Sequence, residues 1–195
     1  MWNERFSSKE YIYGTNPNDF LKAHAKQLSG PVLSIAEGEG RNAVFLAQLG
    51  LEVHGVDASE VGLQKAQKLA EANHVRITTE LADLNDFLPK ENHYGAVVSI
   101  SAHLPLAIRK RLYPRLEACL KPGGLLLLES YSEAQLEKQT GGPKEIDSLM
   151  SREKLKREFS QLQIEHLEEL DREVIEGAYH TGLASVVQFL ARKPA

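Results

Sequence analysis

The chain has 195 residues, of which 42% are apolar and 26% charged, and its formal net charge is −4; this predicts a water-soluble globular protein with one buried core. Its basic residues are scattered, and we interpret clusters such as Arg109-Lys110-Arg111 as solvated helix faces, so no nucleic-acid partner is expected. No apolar run approaches the ~20 residues that span a bilayer, no signal peptide is visible and Cys119 is the single cysteine, so we expect no membrane partner and a cytoplasmic location.

The first 18 residues are aromatic and polar and have no regular period. They include Tyr11 and Tyr13, and the segment either closes over a bound ligand as a lid or packs against the body of the protein. Asn18-Asp19 then predicts the start of a helix. We therefore expect residues 1–30 to form an N-terminal lid and a helix.

A strand, a glycine turn, a helix and a second strand follow one another between residues 32 and 57. The apolar strand 32–36 leads into Glu37-Gly38-Glu39-Gly40-Arg41-Asn42, the helix ends at Gly50, and the strand 53–56 delivers Asp57. Glycines let the backbone approach a ligand closely, and a helix N-terminus presents free N–H groups. Because an acid at a strand end can accept two ribose hydroxyls, the segment predicts a nucleotide or nucleoside site.

The glycine turn alone does not identify the nucleoside. Residues 38–43 satisfy the pattern G-x-G-x-x-(G/A), and Asp57 lies 19 residues after Gly38, close to the ~20 expected of a dinucleotide fingerprint. A nicotinamide dinucleotide therefore stays open at this point, as does a glycine turn that only joins a strand to a helix.

Strands and helices go on alternating through residue 131, which predicts a parallel sheet with right-handed crossovers and helices on both faces. The predicted elements are a helix over 60–72, strands over 76–80, 96–100 and 125–131, and a helix over 106–120. Parallel sheets bind ligands beyond the carboxyl ends of their strands, where the strand order reverses. Asp57, Asp83 and the segment 99–103 fall at those ends.

The chain changes character after residue 131. Residues 132–150 are rich in glycine and charge, and Ser151 predicts the start of a short helix. Residues 164–175 and 183–192 look like two strands of an antiparallel hairpin. A doubly wound dehydrogenase needs a sixth parallel strand instead, so this ending argues against a nicotinamide-dependent oxidoreductase.

Residues 31–193 resemble the class I S-adenosylmethionine-dependent methyltransferases. Residues 38–42 are similar to the branch that contains the tellurite-resistance and thiopurine methyltransferases, and Lys121-Pro122-Gly123-Gly124 is similar to the family's usual entry into its fifth strand. The resemblance implies one α/β domain with a Rossmann-like, seven-stranded, mostly parallel sheet, helices on both faces and a C-terminal antiparallel hairpin. We divide this domain, after its N-terminal part, into a cofactor-binding core (31–131) and a substrate loop, helix and hairpin (132–195).

The cofactor that the resemblance implies is S-adenosylmethionine, and no metal is expected. The resemblance places Asp57 on the ribose and Asp83 at the adenine. Family members usually carry an acid where this chain has Ser34 and a glycine where it has Ala36, and one of the two glutamates of the turn would replace that acid. The predicted cofactor-binding residues are Glu37, Gly38, Glu39, Gly40, Asn42, Asp57, Ala58, Ala82, Asp83, Leu84 and Ser99.

Two histidines are placed to take part in chemistry. His103 follows the strand 96–100 at the ligand edge of the sheet, and His180 lies between the last two strands, in Ala178-Tyr179-His180-Thr181-Gly182. Each either accepts a proton or orients a substrate, with His180 preferred, or is an ordinary loop histidine. Tyr131 is expected beside them at the substrate.

Methyl transfer from a sulfonium is an in-line displacement, in which the protein aligns the nucleophile and excludes water. We therefore predict an enzyme that methylates a small-molecule acceptor from S-adenosylmethionine. Two alternatives stay open, because a fold does not establish an activity. One is a nicotinamide-dependent oxidoreductase, and the other is a protein that binds S-adenosylmethionine without turnover.

Overall fold

A computed structural model describes residues 2–138, 140–177 and 180–195 of the chain. Its strands are β1 (Val32–Ile35), β2 (Val53–Asp57), β3 (Thr78–Leu81), β4 (Tyr94–Ile100), β5 (Leu120–Tyr131), β6 (Gln163–Glu176) and β7 (His180–Arg192). They form one seven-stranded sheet in the order β3-β2-β1-β4-β5-β7-β6. The first five strands pair in parallel, and β7 pairs antiparallel with both β5 and β6. The predicted fold class is confirmed.

Helices pack on both faces of this sheet. They are α1 (Trp2–Arg5), α2 (Asp19–His24), α3 (Arg41–Gln48), α4 (Glu60–Ala72), α5 (Leu106–Cys119) and α6 (Arg152–Glu158). Along β4, Val97 packs with α5 and α6, while its neighbours Ala96 and Val98 pack with α2, α3 and α4. Burial on both faces explains why this strand reads as one continuous apolar run. No helix in the part of the chain that the structure describes combines the length and apolar character that a membrane crossing requires.

Polar caps begin three helices where the sequence predicts them. The side-chain oxygens of Asn18, Ser59 and Ser151 each accept a hydrogen bond from the backbone N–H three residues on, at 3.0–3.3 Å. Each bond satisfies a backbone donor that the first turn of a helix leaves free. The helix predicted over 60–72 is found with those bounds.

All seven strands differ in their bounds from the prediction. β7 begins at His180 rather than at 183, because His180 pairs with Glu176, so His180 is a strand residue and not the loop residue that the sequence predicts. β3 runs from Thr78 to Leu81 instead of 76–80; it is an edge strand with mostly exposed side chains, so no burial pattern marks its ends. β5 begins at Leu120 rather than at 125, because Leu120 pairs with Tyr94 before the register shifts.

The interpretation of Arg109 as part of a solvated face is wrong, since this side chain is 1% exposed. Its guanidinium donates to both carboxylate oxygens of Glu158, at 2.7 and 3.2 Å, and to the carbonyls of Leu104 and Asp147, both at 2.5 Å. α6 and the segment before it thus cover this side of α5. The local pattern of α5 contains no sign of that long-range contact.

Candidate active site

The carboxyl ends of β1, β2 and β4 meet at one edge of the sheet, because Ile35 is in register with both Val56 and Ser99. Asp57 ends β2 at this edge. One of its carboxylate oxygens accepts from the backbone N–H of Gly38 and the other from that of Ser59, both at 2.8 Å. Burial raises the pKa of Asp57, and these backbone donors oppose the shift. The predicted ribose acid is therefore fixed directly against the glycine turn.

The two positions of the turn require glycine for different structural reasons. Both lie in the left-handed region, with φ of 61° at Gly38 and 94° at Gly40. A Cβ on Gly40 would stand 2.7 Å from Ala66, so this glycine allows α3 and α4 to approach each other. A Cβ on Gly38 would stand 3.2 Å from the ring of Phe6, which belongs to the N-terminal segment.

Three polar residues of the predicted cofactor set make contacts inside the protein. Glu37 accepts from the Ser34 hydroxyl and, at 2.9 Å, from the backbone N–H of Ala43 in the first turn of α3. Burial raises its pKa to about 7. Asn42 accepts from the backbone N–H of Asn18 at 3.0 Å. Their contact with a cofactor stays a prediction.

Glu39, the third of these residues, attaches the N-terminal segment to the body of the protein. Its carboxylate accepts from the backbone N–H of Ile12 at 2.8 Å and pairs with Lys65. The Lys65 ammonium also donates to the carbonyls of Ser8 and Glu10, at 3.1 and 2.7 Å. Because Lys65 belongs to α4, this segment runs across the glycine turn and the start of that helix.

The ends of β2 and β3 present an open face. Ala58 and the Asp83 carboxylate are both exposed, and the backbone N–H of Ala82 donates to the carbonyl of Asp57 at 3.0 Å, which joins the two ends. Leu84 and Ser99, by contrast, are buried. The exposed pair is accessible to a ligand that Asp57 holds.

His103, Tyr131 and His180 come together as the sequence predicts. The rings of His103 and Tyr131 stack with centroids 5.1 Å apart and an angle of 5° between their planes. The His180 ring lies 5.2 Å from that of Tyr131 and 4.6 Å from that of Tyr13. Ala178 and Tyr179, the neighbours of His180 in the predicted loop, lie outside the described residues.

Two polar atoms of this aromatic cluster are buried without a hydrogen-bond partner in the described chain, His103 Nε2 and the Tyr131 hydroxyl. Burial, followed by the nearby His180, lowers the pKa of His103 to about 3, while burial raises that of Tyr131 to about 12. Both side chains are therefore neutral across the physiological range, and His103 is a poor proton acceptor there. The described residues contain no group of three or more side chains suited to hold a metal ion.

A buried network of charges that sequence reasoning missed lies beside this cluster. Glu176 pairs with Arg41 at 2.7 Å, and Glu129 pairs with Arg172 at 2.5 Å. The Asn18 amide donates to both carboxylates, at 2.7 and 2.8 Å. Asn18 and Glu176 are 158 positions apart in the chain, so no local motif could have revealed the network.

Comparisons with known proteins agree with this architecture. Residues 32–124 match the family model of a methyltransferase domain. A 2-heptyl-1-hydroxyquinolin-4(1H)-one methyltransferase of Mycobacteroides abscessus is 23% identical over 130 residues, which are 65% of this chain and 57% of that protein. A phosphoethanolamine N-methyltransferase of Plasmodium falciparum is 29% identical over 143 residues, which are 66% of this chain and 52% of that protein.

Among solved structures, TehB from Haemophilus influenzae superimposes with a TM-score of 0.75 and 22% identity, over 98% of this chain and 67% of that one. The chain spans little more than half the length of the two curated relatives. Residues 32–124, just under half of the chain, thus resemble a methyltransferase domain. The predicted resemblance to the class I methyltransferases is confirmed, and this match implies S-adenosylmethionine as the cofactor.

Proposed function

We propose that this chain transfers the methyl group of S-adenosylmethionine to a small-molecule acceptor by in-line displacement. The observation that carries the proposal is the arrangement of one strand edge. Asp57 is fixed against Gly38 at 2.8 Å, and the cluster of His103, Tyr131 and His180 stands at the neighbouring strand ends. A nucleoside site and a candidate acceptor site therefore adjoin.

The residues at the ends of β2 and β3 fit the nucleoside half of the cofactor. The Asp57 oxygens each accept one backbone N–H, and a carboxylate oxygen has a further lone pair for a ribose hydroxyl. The exposed Ala58 offers an apolar surface to the adenine, and the exposed Asp83 offers an acceptor to its amino group. The floor of this proposed nucleoside site is formed by Ala82, Leu84 and Ser99.

Glu37, Glu39, Gly40 and Asn42 support this cradle from behind. In the structure they join the turn to α3, to Lys65, to Ala66 and to Asn18. Their proposed role toward the methionine half of the cofactor is therefore to fix the backbone of the turn. Gly38 is the residue of the turn that this half of the cofactor would approach most closely.

The acceptor side favours a small molecule with an uncharged polar group. A small cavity is lined by Ser101, Ser130 and Tyr131, and also by Glu129, Arg172 and Glu176, whose charges pair with one another. The guanidinium groups of this region are paired with carboxylates, and the unpartnered polar atoms, His103 Nε2 and the Tyr131 hydroxyl, belong to neutral side chains. The two curated relatives are named for small-molecule acceptors, which supports the same class.

When bound, S-adenosylmethionine supplies a methyl group on a sulfonium that is already a good leaving group. The chain's own residues align the acceptor and keep water away. His180 is the proposed proton acceptor or orienting group, because His103 is neutral down to a pH of about 3. Tyr131 and His103 hold the acceptor by hydrogen bonds.

We also propose that residues 2–18 act as a cover that opens for exchange of the cofactor, with Tyr11 and Tyr13 on its inner side. The segment lies on the turn itself, since Phe6 is 3% exposed and packs on Gly38. With residues 2–18 as the cover, residues 31–131 hold the cofactor, and residues 132–195 complete the acceptor site.

The test is turnover. The full chain is incubated with S-adenosylmethionine and a panel of hydroxyl, amine and thiol acceptors, and S-adenosylhomocysteine is quantified by mass spectrometry. Formation that depends on the acceptor supports the proposal. Binding of S-adenosylhomocysteine without turnover on any acceptor would leave a cofactor-binding protein instead.

A further inference from the structure

The Glu176 carboxylate is a buried charge that lies close to His180. Glu176 ends β6 and His180 begins β7, and the two residues are paired in register across the hairpin turn. Their relative exposures are 6% and 9%. The distance from His180 Nδ1 to a carboxylate oxygen of Glu176 is 3.9 Å, which is too long for a hydrogen bond but close enough for strong charge attraction in a buried setting.

The same carboxylate is held by groups from other parts of the chain. Arg41 donates at 2.7 Å to the oxygen that faces His180, and Asn18 donates at 2.8 Å to the other oxygen. Arg41 is the first residue of α3, directly after the glycine turn, and Asn18 caps α2. The carboxylate is thus fixed in place by the cofactor side of the site, and it faces the acceptor side.

At Glu176, contacts with neighbouring groups together affect the pKa more strongly than burial does. Burial alone would raise the pKa of Glu176, but His180, Arg41 and Asn18 together hold it below its usual range. The carboxylate is therefore ionised wherever the protein is folded near neutral pH, and its charge is always available to the imidazole.

We propose that Glu176 is a positioning residue that orients the His180 ring so that Nδ1 and its proton face the carboxylate. This inference rests on the proposed function, since it assigns His180 the proton that the acceptor loses. A carboxylate that faces one ring nitrogen favours the tautomer with its proton on that nitrogen, and it leaves the other nitrogen, Nε2, free to accept a proton from the acceptor. Arg41, on the same carboxylate oxygen, competes with His180 for the negative charge.

Other titratable groups also face His180, and the charge of each one acts on the ring. Tyr13 contacts the ring from the N-terminal segment, and Tyr131 contacts it from β5. His103 approaches to 6.5 Å from the segment after β4. Tyr131 and His103 stay neutral between pH 4 and 10, with pKa values of about 12 and about 3. Arg172, 3.5 Å from Glu176, adds a second competing cation.

The experiment is a ¹⁵N NMR measurement of the histidine tautomers in the full chain without cofactor at pH 9, with the His180 signals identified by their loss in His180→Gln. In the unmodified protein the proton of neutral His180 should lie on Nδ1, because the Glu176 carboxylate faces that nitrogen. In Glu176→Gln, which removes the negative charge, the share of this tautomer should fall. Arg41→Gln, which removes the competing cation, should leave the proton on Nδ1. Glu173→Gln, which removes the same charge from an exposed site on β6, should change nothing.

An unchanged share of the Nδ1–H tautomer in folded Glu176→Gln would overturn the proposal. The unmodified protein gives an independent readout that holds if the variant does not fold, because a proton on Nε2 of neutral His180 would contradict the assignment. Calorimetry with S-adenosylhomocysteine on the same samples tests the proposed function separately, because cofactor binding does not require this tautomer.

Discussion

Gly177 and Ile12 touch through their backbones, so the hairpin turn between β6 and β7 directly supports the N-terminal segment. A Cβ on Gly177 would overlap the Ile12 carbonyl oxygen and stand 2.6 Å from Tyr13 Cα. The cover proposed for the cofactor site thus lies between two glycines, Gly177 on the acceptor side and Gly38 on the cofactor side.

Gly177→Ala should displace the N-terminal segment. Hydrogen exchange of residues 2–14, followed by mass spectrometry, should become faster in the variant. Gly50→Ala is the matched control: both glycines have a left-handed backbone, with φ of 71° and 85°, but a Cβ on Gly50 meets nothing within 4 Å. Both variants carry the same conformational cost of about 1–2 kcal/mol, and only Gly177→Ala adds the overlap. Equal exchange in the two variants would mean that the contact does not hold the segment.

Arg109→Ala should destabilise the fold strongly. It leaves Glu158 and the carbonyls of Leu104 and Asp147 without their buried partner, and breaking a buried ion pair costs about 3–5 kcal/mol. Lys110→Ala, at the exposed neighbouring position, should stay within about 0.5 kcal/mol of the unmodified protein. Urea denaturation measures the free energy of unfolding of both variants. A loss below 1 kcal/mol for Arg109→Ala would show that this arginine is as dispensable as a surface residue.

Glu37 should make the protein less stable as pH rises. Its folded pKa of about 7 lies above the ordinary value of 4.5, so the folded state binds more protons between these values and the free energy of unfolding falls as pH goes from 4.5 to 7. Glu37→Gln keeps the shape and the acceptor for Ala43 but carries no charge. It should remove that slope and add up to about 3 kcal/mol at pH 8. Glu71→Gln, an exposed acid on α4, is the control. Identical slopes in Glu37→Gln and the unmodified protein would contradict the shift.

Substitutions of His180 and His103 should affect turnover differently once an acceptor is known. His180→Ala should lower turnover by about 10²-fold or more if this residue takes the proton, with unchanged affinity for S-adenosylhomocysteine. His103→Gln should keep the pH dependence of turnover above pH 5, because the pKa of His103 is about 3. Wild-type turnover in His180→Ala would mean that this histidine has no part in the reaction.

Local patterns predicted the parts of this protein that depend on near neighbours. Ser59 caps α4 and Asp57 ends β2 as expected, because a cap and a strand end are each decided within a few residues. The sequence predicts that Gly40 lets the backbone approach a ligand, but the atoms that a Cβ there would meet belong to Ala66. Periodicity cannot say whether a ligand or a helix will approach a glycine.

The parts that escaped prediction depend on distant segments. Glu176 reads as one more charge in an acidic strand, and only the antiparallel return of β7 brings it against Arg41, 135 positions away. The burial of Arg109 likewise depends on Glu158, 49 positions on. Charged residues are solvated by default, so burial of a charge becomes visible only when its partner is placed.

The central claim is that Asp57 holds the ribose of S-adenosylmethionine, and calorimetry tests it most directly. S-adenosylhomocysteine and NAD are each titrated into the unmodified chain, Asp57→Asn and Asp86→Asn. The last variant changes an exposed acid after β3 and is the control. We predict that S-adenosylhomocysteine binds and NAD does not. Asp57→Asn should bind S-adenosylhomocysteine roughly 10- to 150-fold more weakly, the loss of one charge-assisted hydrogen bond, and Asp86→Asn should bind it as before. Unchanged affinity in folded Asp57→Asn, or binding of NAD without S-adenosylhomocysteine, would contradict the account.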